Sequence, residues 1–94
     1  MHRALLERRI RDVHARLVRA REDLAVLDEQ LAVVMESADE ARVRSLVAET
    51  PLAAHEHSQA ARHADAMAKA RAQLAVTVSD LEHRQDELLA DVNS

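Results

Sequence analysis

Apolar residues recur along the first half of the chain in alternating steps of four and three: Leu6, Ile10, Val13, Leu17, Ala20, Leu24, Leu27, Leu31, Val34, Ala38 and Ala41. That spacing keeps one stripe of an α-helix apolar through successive heptads. A second stripe obeys the same rule through Ala60, Ala64, Met67, Arg71, Leu74, Val78, Leu81, Gln85, Leu88 and Val92. The stripes predict a helix over about residues 3–47, a bend over 48–51 and a second helix over about 52–92. The segment "AETPLA" (48–53) supplies the punctuation. Thr50 can cap a new helix with its side-chain oxygen, and Pro51, with no amide hydrogen to lose, suits a first turn.

In an antiparallel coiled coil an a residue of one helix shares a layer with a d residue of the other, so paired residue numbers add to a constant. A constant of 98 pairs Ile10 with Leu88, Leu17 with Leu81, Leu24 with Leu74, Leu31 with Met67 and Ala38 with Ala60. The alternate layers pair Ala20 with Val78 and Val34 with Ala64. The expected fold is therefore all-α: an antiparallel coiled-coil helical hairpin forming a single domain over residues 1–94. One segment offers a variant. In "MESADEAR" (35–42), Ser37 and Glu40 are spaced as a capping box, which would make 38–49 a short tip helix and move the constant to 91.

Composition supports helices and removes other classes. The chain is 48 % apolar and 32 % charged, with no glycine, cysteine or aromatic residue and one proline. Sheets need turn residues and favour aromatic side chains, so strands are not expected. The longest apolar run, "LAVVM" (31–35), falls far short of the roughly 20 residues of a membrane span. "MHRALLERR" at the start lacks the apolar block of a secretory signal, and the absent cysteines agree with a reducing compartment; the expectation is a cytoplasmic protein.

Charge is unevenly distributed around the total of −4. Residues 1–21 hold seven arginines and two acids, whereas residues 73–94 hold one arginine and five acids. A hairpin lays these segments side by side, so the basic stretch "RRIRDVHARLVRAR" (8–21) is expected to meet its own acidic partner, with Arg9 near Asp91 and His14 near Glu82. Arg16 opposite Arg84 runs against that matching. Pairs four residues apart, such as Glu7 with Arg11, Arg8 with Asp12, Glu40 with Arg44 and Asp65 with Lys69, read as solvated helix faces. Arg71 and Gln85 stand at seam positions. Arg71 is expected to lay its stem over the seam and send its head to water.

Two helices alone enclose little, and small scaffolds without disulfides or metals usually need oligomerisation. In "LAVLDEQLAVVM" (24–35) apolar residues spread beyond the seam, which predicts a homodimer in which two hairpins form a four-helix bundle. The expected dimer contacts are Leu24, Val26, Leu27, Leu31, Val33 and Met35. Near the bend, Val43, Leu46, Val47 and Leu52 lack obvious partners inside a hairpin and are candidates for binding another protein, beside the acids Glu36, Asp39, Glu40 and Glu49.

Motifs of chemistry are thin. His55, His57 and His63 stand two, six and eight apart, whereas ligands on one helix face should be three or four apart, so they read as solvated surface histidines and no metal is expected. Ser79, His83 and Glu87 share a face on the outer side of the second helix without oxyanion donors beside them. No cofactor and no enzymatic activity are expected. Without aromatic side chains to stack on bases, and with a net negative charge, nucleic acid is disfavoured as a partner. The expected function is a protein–protein interaction module or adaptor. In outline the chain is similar to the coiled-coil hairpins with acidic tips of factors that enter the secondary channel of bacterial RNA polymerase, although it carries none of their tip motifs. That resemblance implies an alternative: a transcription-associated regulator contacting RNA polymerase or nucleic acid through the tip or the arginine face.

Overall fold

The computed structural model describes residues 2–94. Two helices account for nearly all of them: α1 (His2–Ala48) and α2 (Pro51–Asn93), with no strand among the described residues. The chain is thus an all-helical hairpin. α1 runs unbroken through Ser37, so the short tip helix over 38–49 and its shifted register do not form. The reason lies in the seam. Met35 and Glu36 are already helical when Ser37 arrives, and Ala41, three residues past Ala38 in the same stripe, is buried at 3 % exposure; a break at Ser37 would take it out of its layer.

The bend is two residues long. Glu49 adopts a left-handed conformation (φ 52°) and its N–H donates to the Ser45 carbonyl at 3.2 Å, which closes α1 with a single left-handed capping turn. Glycine usually takes this position because it has no Cβ to clash; in a chain without glycine, Glu49 bears the strain. Thr50 then starts α2. Its Oγ1 accepts the Ala53 N–H at 3.2 Å, the capping bond expected from the sequence, and Pro51 opens the first turn.

The helices form two compact units. The first joins α1 up to Leu24 with α2 from Gln73 onward, and the second is Ala25–Ala72, including the bend. In the first unit Leu17, Ala20 and Val78 make one buried cluster, with Leu24, Leu74 and Leu81 packed against it. These are the six residues of three consecutive layers whose numbers add to 98. Leu6 and Leu88 are also buried there, and Leu17 (0 %) and Leu88 (1 %) are the largest fully enclosed side chains. In the second unit Ala41 alone is buried, among half-buried seam residues such as Leu27, Leu31, Val34, Ala38, Ala60, Ala64 and Met67.

Candidate interaction surface

Among the described residues, the polar contacts between helices all use one row of α1. His14, Arg21 and Asp28 stand seven residues apart, one position past the seam residues Val13, Ala20 and Leu27. In the first unit His14 Nδ1 lies 3.1 Å from Gln85 Nε2, and Arg21 lies 3.4 Å from Glu82. His14 thus takes Gln85 rather than the expected Glu82, which Arg21 occupies. In the second unit Arg71 Nε donates to Asp28 Oδ1 at 2.8 Å. Arg71 therefore does not simply send its head to water. The hydrogen bond it donates to Asp28, and then the charge of that carboxylate, raise the guanidinium pKa above its ordinary value, with burial acting in the opposite direction. A charged head tied to one carboxylate on the facing helix favours one register over its neighbours.

The next member of that row beyond Met35 is Arg42, which lines a shallow cleft of the second unit together with His57. His57 stands fourteen residues before Arg71, as Arg71 stands before Gln85. The seam of α2 thus carries a polar residue every second heptad. In contrast to the solvated surface expected, His57 is half-buried and its Nδ1 is enclosed without a hydrogen-bond partner. His55 and His63 are exposed. Among the described residues no three or more His, Asp or Glu side chains converge as a metal site. Ser79, His83 and Glu87 are exposed, and Glu87 accepts from Arg84 at 3.2 Å rather than orienting His83.

The expected dimer residues divide in two. Leu24, Leu27 and Leu31 are half-buried in the seam, whereas Val26, Val33 and Met35 are exposed. Val33 borders a groove of about 480 Å³ with Val34, Met67, Glu29, Gln30 and His63. The tip residues Val43, Leu46, Val47 and Leu52 are all exposed, Val47 at 81 %. Leu5, Val18, Val76 and Leu89 of the first unit, outside both the seam and the tip, are exposed as well.

The arginine stretch departs furthest from expectation. Arg21 reaches Glu82 on α2 and Arg3 pairs with Glu7 on its own helix at 3.5 Å. Arg8, Arg9, Arg11, Arg16 and Arg19 are exposed and form no ion pair among the described residues, so the stretch is largely not neutralised by direct pairing with the acidic segment. Heptad position explains this: Arg8, Arg11 and Arg19 stand on the side of α1 away from the seam, out of reach of α2. Of the pairs four residues apart, Asp65 with Lys69 forms at 3.8 Å, whereas Glu7 turns to Arg3 instead of Arg11. No helix is long and apolar enough to cross a membrane among the described residues. Compared with protein-family models, curated proteins and solved structures, the chain matches none significantly.

Proposed function

We propose that the chain is a non-enzymatic helical-hairpin interaction module that pairs with a second copy along the outer side of α1 and engages a protein partner beside the bend. One observation carries the reading. In the second unit Val26, Val33, Met35, Val43, Leu46, Val47 and Leu52 are exposed large apolar side chains, while Ala41 is the single buried residue. Fully burying a side chain of this size stabilises an assembly by about 1.5 to 3 kcal/mol, and a hairpin with so small an interior gains from each one covered. Val26 and Val33, seven residues apart beside Ala25 and Ala32, form the stripe that a second hairpin covers in a four-helix bundle. Val43, Leu46, Val47 and Leu52 are the residues assigned to the heterologous partner.

Light scattering across micromolar concentrations tests the first half. Wild type should show a dimer and Val26→Asp/Val33→Asp a monomer of unchanged helicity; a mass of 10.5 kDa for wild type throughout refutes self-association. Affinity co-purification with and without nuclease tests the second half. A partner that survives nuclease and is lost with Leu46→Asp supports the tip assignment, and equal capture by wild type and variant refutes it.

A further inference from the structure

The unpaired arginines describe a second surface, on residues that the self-association and tip readings do not use. Arg8 and Arg19 are eleven residues, close to three full turns, apart and so lie on one line of α1; Arg9 and Arg16 flank it on one side and Arg11 on the other. The face spans about 16 Å, over which one strand of a nucleic-acid duplex presents about five phosphates. Asp12 is the one acid among residues 8–19, leaving an excess of four positive charges from five arginines and one aspartate. All five side chains are exposed and none is held by an ion pair among the described residues.

We propose that this arginine face binds the phosphate backbone of duplex nucleic acid without reading its sequence. The guanidinium presents a planar fork of donors that matches phosphate oxygens in pairs, and it stays charged at any physiological pH. A duplex fits better than a single strand, because the chain has no aromatic side chain on which unpaired bases could stack. The acids of α2 in the same unit, Asp80, Glu82, Asp86, Glu87 and Asp91, repel the same backbone and keep the interaction weak and salt-sensitive.

Fluorescence anisotropy of a labelled random-sequence DNA duplex titrated with the full chain tests this. With four to five phosphates engaged, affinity should fall about 150- to 500-fold between 50 and 200 mM salt. Arg8→Gln/Arg16→Gln/Arg19→Gln, which keeps good helix formers at each position, should lower the slope of log affinity against log salt by about 3. Leu46→Asp should bind duplex as wild type does. Absence of duplex binding at the lowest salt, a slope that the triple variant leaves unchanged while circular dichroism shows intact helices, or binding confined to phosphatidylserine vesicles or poly-glutamate would each overturn the proposal. Equal loss of duplex binding in Leu46→Asp would move the site to the bend and overturn it as well.

Discussion

The two units obey one periodic rule and fill it with different side chains. The first packs Leu24, Leu74 and Leu81 against the buried cluster of Leu17, Ala20 and Val78, and also buries Leu6 and Leu88. The second offers Ala38 with Ala60 and Val34 with Ala64, buries Ala41, and carries its larger apolar groups on the outside. A heptad stripe sets which way side chains face, but their size sets how much water they displace. The first unit therefore has the larger buried interior, and the second leaves more of its large apolar side chains in water, although Leu5, Val18, Val76 and Leu89 of the first are exposed too.

Three substitutions press on that contrast. The largest effect belongs to Leu17→Ala, which empties the centre of the buried cluster and should cost about 2 to 5 kcal/mol in chemical denaturation. Hydrogen exchange should show the loss first in the first unit; a cost below that of an exposed-leucine change would mean that the cluster is not the stabilising centre. Of intermediate size and opposite sign is Glu49→Gly. Relief of the left-handed strain should stabilise the chain by about 1 kcal/mol, and a destabilised variant would show that Glu49 gains more from its surroundings than its backbone loses. Smallest is Leu46→Asp, expected within about 0.5 kcal/mol of wild type because the side chain is already in water. A large destabilisation there would show that the second unit uses its outer leucine internally and would erase the contrast.

Much of the architecture was legible in the residues. The Thr50 cap and the Pro51 start follow from spacing and from the chemistry of a missing amide hydrogen, and the structure has them; in the first unit the six residues of the three layers from Leu17 to Leu24 pack as one cluster. Ser37 misled because a capping box signals a helix start only where the preceding chain is not already helical. Summing charges over segments also misled: the arginines of residues 1–21 and the acids of 73–94 balance in number, but only side chains flanking the seam can reach across it. Assigning each arginine a heptad position would have placed Arg8, Arg11 and Arg19 away from the seam and Arg21 in the row shared with His14 and Asp28; Arg9 and Arg16 flank the seam on its other side, and spacing alone does not separate them from Arg21. The enclosed Nδ1 of His57 was visible in outline as a fourteen-residue spacing to Arg71 and on to Gln85, a period twice that of the apolar stripe and easily overlooked beneath it.

The two-residue bend has a kinetic meaning. Because paired numbers add to a constant, every layer that α1 makes with its own α2 could be made equally with the α2 of another molecule. Tethering decides between them: a short connection holds the second helix at an effective concentration in the range of millimolar, above that of most free partners. Pro51 guards this choice, since running α1 straight into α2 would place a proline inside a helix at a cost of about 3 kcal/mol or more. Closing the hairpin is thereby a first-order event. Its rate should not depend on the concentration of the chain, whereas any later pairing of two hairpins does.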